Sequence, residues 1–243
     1  MINFTYYGDL LGVGSYYNLS PVVAQLKLNE FYNETFNTLK SFVVQNDKNT
    51  IEMFSDSLFV VGVDPFEGLK LLGLLHANLI KKDILLRGAM VCGKLEFEPH
   101  VTIKNFSKRL PKNDILAKAA GLEKSHKGAR LLIENSLVEK LMMKCPSWLT
   151  NSGYFRTKDD NPPHHKLLRK IAPTPDYQSY EYLYYWIDEI QGCEFKNRIK
   201  HLLKIASLQE SPGKEHYQAT AMLIERCEAR YTETNIGFIM KTA

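Results

Sequence analysis

The sequence predicts an α+β fold, an antiparallel sheet with helices on one face followed by a helical C-terminal extension, and three observations on the 243-residue chain predict it. Short segments rich in β-branched and aromatic residues are interleaved with longer stretches whose apolar residues recur at helical intervals, giving the order βαββαβ up to Leu95. The character of the chain then changes near Lys144, where Cys145-Pro146, Asn151-Ser152-Gly153 and a polar loop from Lys158 to His165 follow one another. Beyond that loop the apolar pattern is helical again. Two units are therefore expected, a domain over 1–150 and a helical extension over 151–243.

Ile2 to Leu11 read as a strand that ends at Gly12-Val13-Gly14, with Asp9 near its end. Val22, Val23, Leu26, Phe31, Phe36 and Leu39 then mark one helix from Pro21 to Phe42, with Ser20 as N-cap and Pro21 at the first helical position. Thr50 to Phe54 and Ser57 to Val63 form a hairpin with Asp56 at its tip. Leu69, Leu72, Leu75 and Leu79 outline a second helix, and Ile84 to Leu95 a strand interrupted by Gly88 and Gly93. Glu96 to Lys112 is irregular and basic, Ile115 to Leu122 helical, Ala129 to Ile133 a strand and Ser136 to Met143 a short helix. In the extension, Phe195 to Ala206 and Tyr217 to Cys227 supply the two faces of a helical hairpin across Ser211-Pro212-Gly213, packed on the core or on a partner subunit.

Composition excludes several classes. Apolar residues make up 44% and charged residues 24%, which is ordinary globular usage and argues against disorder. With 31 basic and 27 acidic side chains the net charge is only +4, so no nucleic acid partner is expected. The four cysteines are far apart and read as free thiols rather than a zinc or redox motif. Nothing resembles a signal peptide or a run of about 18 apolar residues, so no membrane association is expected and a cytoplasmic location is.

The chemistry-bearing feature is the pair Asp9 and Asp56, two carboxylates at strand ends that converge if their strands are neighbours. Magnesium takes hard oxygen ligands and is commonly held by one or two carboxylates, with water and substrate phosphate completing the shell. Two such ions activate a ribose hydroxyl and neutralise a pyrophosphate leaving group.

Tyr7-Gly8-Asp9-Leu10-Leu11-Gly12 resembles the first metal motif of class III nucleotidyl cyclases, and Phe54-Ser55-Asp56-Ser57-Leu58 the second. The similarity continues through Leu86 to Gly93 and through Ala119 to Ile133, so that it spans roughly residues 2 to 140. The serine-containing hairpin tip, the Arg87-Gly88 strand and the helical extension are most similar to the pyrimidine cyclases of Pycsar anti-phage defence.

That resemblance implies a ferredoxin-like palm and a site with Asp9, Leu10 and Asp56 as metal ligands, two Mg²⁺ or Mn²⁺ ions, and the Gly12, Val13 and Gly14 turn on the triphosphate. It places Glu52 at the base edge, where a carboxylate accepts hydrogen bonds from an amine or ring N–H. It also implies a homodimer with sites at the subunit interface, and the reaction of a nucleoside triphosphate, UTP or CTP by family branch, to cUMP or cCMP and pyrophosphate. The sequence departs from adenylyl and guanylyl cyclases where Ala117 and Gly121 replace an asparagine and an arginine. Arg87 is the first candidate to supply the missing cation and Lys118 the second, with Lys112 behind them.

Each residue also has a structural reading. Asp9 and Asp56 suit turns, Arg87 suits a strand ion pair, and Lys112 and Lys118 suit a solvated surface. The missing asparagine and arginine leave open a cyclase-like nucleotide sensor or scaffold, and a purine cyclase remains a further alternative. His164-His165 reads as loop and the aromatic run Tyr177 to Trp186 as packing.

Overall fold

The computed structural model describes residues 1–98, 101–103, 106–108, 110–144, 193–208 and 213–225. Lys158 to His165, the aromatic run and the expected boundary near 150 lie outside the described residues.

Five strands form the main sheet: β1 (Phe4–Leu10), β2 (Thr50–Phe54), β3 (Ser57–Gly62), β4 (Leu86–Cys92) and β7 (Leu131–Ile133), in the spatial order β2-β3-β1-β4-β7. β1 is central and antiparallel to both neighbours, while β7 joins β4 in parallel. A parallel pair needs a crossover, and the helix α4 (Ile115–Lys124) lies in that connection. The segment read as irregular, from Glu96 to Lys112, contains a second small ladder, β5 (Val101–Ile103) against β6 (Phe106–Lys108), closed by a bridge between Phe97 and Pro111. Its three-residue strands are too short to show a period-two pattern in sequence.

The helices preceding β2 are two rather than one. α1 (Val13–Leu19) stops where Ser20 adopts an extended backbone (φ −172°), and α2 (Pro21–Val44) restarts with the Ser20 hydroxyl accepting from Val22 N–H at 3.2 Å. Proline lacks an N–H and disfavours α geometry in the residue before it, so the break falls there. α3 (Pro65–Lys81) begins in the same way, with Asp64 accepting from the N–H groups of Phe66 and Glu67.

Strand alternation sorts the core. Phe4 and Tyr6 of β1 face α2 and α3: the Phe4 ring lies 6.1 Å from that of Phe42, and Tyr6 Oη is 3.1 Å from His76 Nε2. Gly8 and Gly88 stand opposite each other on this face, and a Cβ on either would overlap the Tyr6 ring. The aromatic ring occupies the space that two absent side chains leave. Thr5, Tyr7 and Asp9 point to the other face, where α4 packs on β1 and β4 and buries Ala119 and Leu122.

After β7 come α5 (Asn135–Lys144), α6 (Cys193–Leu208) and α7 (residues 213–225), so both helices expected in the extension are present. They pack on the chain's own core: Leu202, Ala206, Thr220 and Ile224 are buried. Among the described residues no helix is long and apolar enough to cross a membrane.

Candidate functional site

The two aspartates meet at one end of β1. Asp9 pairs laterally with Ser57 of β3 on one side and Arg87 of β4 on the other. Asp56 occupies the second position of the two-residue loop between Phe54 and Ser57, and its carbonyl accepts from Leu10 N–H at 3.0 Å. Ser55, in front of it, has a φ of 55°, in the left-handed region that such tight hairpins demand. Tyr32 of α2 holds this tip by donating its hydroxyl to the Ser55 carbonyl at 3.1 Å. The hairpin is thus pinned from the sheet and from a helix, which fixes Asp56 beside Asp9.

Around Asp9 the polar contacts form a chain. Ser57 Oγ donates to Asp9 Oδ1 at 3.2 Å and so accepts from the Tyr7 hydroxyl 3.4 Å away. Burial pushes the Asp9 carboxyl above the usual aspartate range and the neighbouring Asp56 adds to this, while the Ser57 bond, Arg87 and Lys124 pull it back. A carboxylate so placed gains from a cation lodged between it and its neighbour. The candidate donors, the two carboxylates and the backbone carbonyl of Leu10, are all hard oxygens, the kind that Mg²⁺ or Mn²⁺ takes rather than a softer metal. Among the described residues no group of three or more His, Cys, Asp or Glu side chains converges, so an ion here would draw its remaining ligands from backbone, water and substrate.

Arg87 is engaged. Its guanidinium bonds Glu123 of α4, whose side chain is 0% exposed against 11% for Arg87. The second Glu123 oxygen, Oε2, is buried with no hydrogen-bond partner among the described residues. Burial drives the Glu123 carboxyl upward and Arg87 opposes it. Lys118, the second cation considered, is placed elsewhere: its ammonium lies 3.1 Å from Asp114, with Glu134 and Cys92 as further electrostatic neighbours. Lys124, at the exposed end of the same helix, is the lysine whose charge acts on Asp9. Neither Glu123 nor Lys124 was singled out in the sequence; the available signal was a glutamate four residues after Ala119, on the buried stripe of α4.

Gly12 has a φ of 82° and caps α1, Val13 is buried, and Gly14 is exposed with open space where a Cβ would stand. The first N–H groups of a helix lack intrahelical acceptors, so this turn can present donors while the Val13 side chain anchors it in the core. Glu52 shares the sheet face of Asp9, opposite Phe59, and lines a cavity of about 420 Å³ together with Thr50, Val61, Lys94 and Lys112. The structure therefore gathers Asp9, Leu10, Asp56 and Arg87 at one end of the sheet, sets Gly12 to Gly14 just past them in the chain, and puts Glu52 in a cavity on the same face.

No protein-family model and no curated protein matches the sequence. Solved structures do match the fold. A bacterial light-regulated adenylyl cyclase is 9% identical with a TM-score of 0.51, over 93% of this chain and 57% of that one. The catalytic core of a rhodopsin-guanylyl cyclase with converted specificity, solved with ATPαS, is 12% identical with a TM-score of 0.50, over 75% of this chain and 94% of that one. The chain shares the fold of class III adenylyl and guanylyl cyclase catalytic domains.

Proposed function

We propose that this protein is a metal-dependent nucleotidyl cyclase that converts a nucleoside triphosphate to a 3′,5′-cyclic mononucleotide and pyrophosphate. The observation that carries the reading is the convergence of Asp9 and Asp56 through the Leu10 to Asp56 hydrogen bond, on a fold shared with cyclase catalytic domains. Asp9, Asp56 and the Leu10 carbonyl would hold magnesium or manganese, which supplies Lewis-acid activation of the ribose 3′-hydroxyl and charge neutralisation on the leaving group. The chain's own residues do the rest. Backbone N–H groups of Gly12, Val13 and Gly14 bind the triphosphate. Arg87, held by Glu123, and Lys124 provide positive charge beside the reacting phosphate in place of the arginine that Gly121 replaces. Glu52 faces the base from the wall of its cavity.

On the base, the sequence resemblance favours UTP or CTP, and with it an anti-phage signal, while Glu52 accepts hydrogen bonds from guanine as readily as from cytosine. In the dimer implied by that resemblance, Phe54, 79% exposed beside Asp56, is the apolar residue offered for burial. The purified protein incubated with each of the four triphosphates and manganese, with products identified by mass, tests the reading. A cyclic mononucleotide that disappears in Asp56→Ala is the expected result. Absence of any such product, with Asp56→Ala binding nucleotide like the parent, supports instead the sensor that Ala117 and Gly121 would permit.

A further inference from the structure

Two serines flank Asp56, and the fold gives them different work. Ser55 takes the left-handed backbone that the tight hairpin demands, with a φ of 55°. Ser57 lies past the turn, an ordinary strand position paired with Phe54 on β2 and with Asp9 on β1. Hairpin geometry asks for no hydroxyl there. Register partners leave a sheet on the same face, so the Ser57 hydroxyl is carried to the Asp9 carboxylate by the strand pairing itself.

The hydroxyl donates to Asp9 Oδ1 at 3.2 Å and lies 3.4 Å from the Tyr7 hydroxyl, its only side-chain bonds among the described residues. A serine has one proton to give. Once that proton is committed to the carboxylate, the serine oxygen can only accept, so Tyr7 is the donor in the second bond. The order Tyr7 to Ser57 to Asp9 therefore has one direction while Asp9 is ionised. Tyr7 and Ser57 are both half-buried, and the Tyr7 ring is placed by Phe59, 5.3 Å away between centroids.

The other oxygen of Asp9 is treated differently. Oδ2 has no hydrogen-bond partner among the described residues, and Arg87, the lateral neighbour on β4, is bonded to Glu123 instead. One oxygen is tied to the protein and the other is left for a cation. A carboxylate held by neither oxygen turns through a broad, roughly twofold well, and hydrogen bonds from outside the metal shell are the usual means of fixing such a ligand.

We propose that Ser57 is a positioning residue for divalent-metal binding, fixing the Asp9 carboxylate through Oδ1 so that Oδ2 meets the ion, with Tyr7 holding the serine hydroxyl in its donating orientation. This role rests on the reading of Asp9 and Asp56 as metal ligands. A serine that only completed the hairpin would leave metal affinity untouched in a folded variant.

Manganese alone, titrated into the full chain without nucleotide and followed by the paramagnetic resonance of the free ion, reads affinity independently of turnover. Losing an outer hydrogen bond to a metal ligand costs about tenfold or more in affinity, so Ser57→Ala should bind manganese about tenfold more weakly than the parent. Ser57→Thr keeps the hydroxyl on a residue that suits a strand, and should restore parental affinity. Tyr7→Phe should weaken binding less than Ser57→Ala, and should add nothing to it in the double variant, because it acts only through that hydroxyl. Urea midpoints of the same proteins show that each is folded when titrated. Asp9→Asn sets the floor. If Ser57→Ala titrates like the parent while Asp9→Asn has lost the ion, the positioning role is overturned and the metal reading stands. If the parent binds no better than Asp9→Asn, the metal reading fails and the positioning role goes with it. Equal weakening by Ser57→Ala and Ser57→Thr, or full additivity of Tyr7→Phe with Ser57→Ala, would also overturn the arrangement.

Discussion

Arg87 stands directly across the β1–β4 ladder from Asp9, yet its guanidinium is bonded by Glu123 on the helix above. A cation is thereby fixed near the Asp9 and Asp56 carboxylates without neutralising them in a closed pair. Removing Glu123 by Glu123→Ala leaves Arg87 buried and unpaired, a change that typically costs about 3–5 kcal/mol. Glu123→Gln, which retains a hydrogen-bonding oxygen, should cost less. Urea unfolding of both variants measures the difference, and equal midpoints for parent and Glu123→Ala would show that solvent reaches the pair.

Asp9 carries the opposite signature in the absence of metal. Its folded pKa is raised, so its favourable contribution exists below the unfolded value and is lost as pH rises through the folded one. At neutral pH the ionised carboxylate therefore strains the fold, and Asp9→Asn should melt higher than the parent in EDTA. Manganese should reverse the order by stabilising the parent and leaving Asp9→Asn unmoved. Thermal shifts with and without the ion provide the check.

Gly88→Ala should destabilise by about 1–3 kcal/mol, the usual penalty for overpacking, because its Cβ meets the Tyr6 ring in a space with no slack. Combining it with Tyr6→Leu, which removes the obstructing phenol, should recover part of that loss. A purely additive pair in urea unfolding would contradict the packing argument.

Acid should loosen the protein through two imidazoles. Burial lowers His76 to about 3, and burial with the nearby Arg87 and Lys127 lowers His216 to about 4. The unfolded chain takes up these protons near pH 6.5 while the folded one refuses them, so stability is intact above that value and declines below it. The decline runs to about pH 4 for His216 and to about pH 3 for His76. Each pH unit in the window costs about 1.4 kcal/mol for the fully buried His76, and less for half-buried His216. His216 accepts from Gly128 N–H, so α7 should lose exchange protection earlier in acid than β1. His216→Asn should flatten the pH dependence of that segment.

Much of this was legible in the sequence. The strands flanking Asp9 and Asp56, the Ser20-Pro21 helix start and the two helices of the extension all carry local signals, and local signals survive translation into structure. What sequence did not disclose depends on contacts between distant residues. Lys118 looked eligible because it lies near the missing arginine in the chain, but the helix sets it against Asp114 and turns Glu123 onto Arg87 instead. The attachment of Tyr217 to Gly12 joins residues about 200 positions apart and has no period to betray it. The β5–β6 ladder escaped notice because its strands are three residues long.

The facing glycines beneath the Tyr6 ring have an evolutionary corollary. Three positions, 6, 8 and 88, share one volume, so a lineage that trades the tyrosine for a smaller residue frees both glycines to vary, and one that keeps it freezes them. Substitutions at these sites should therefore be correlated among relatives, in a triplet that sits next to Asp9 but owes its constraint to volume rather than catalysis. A family profile built on the aspartates alone would miss that mark of common descent.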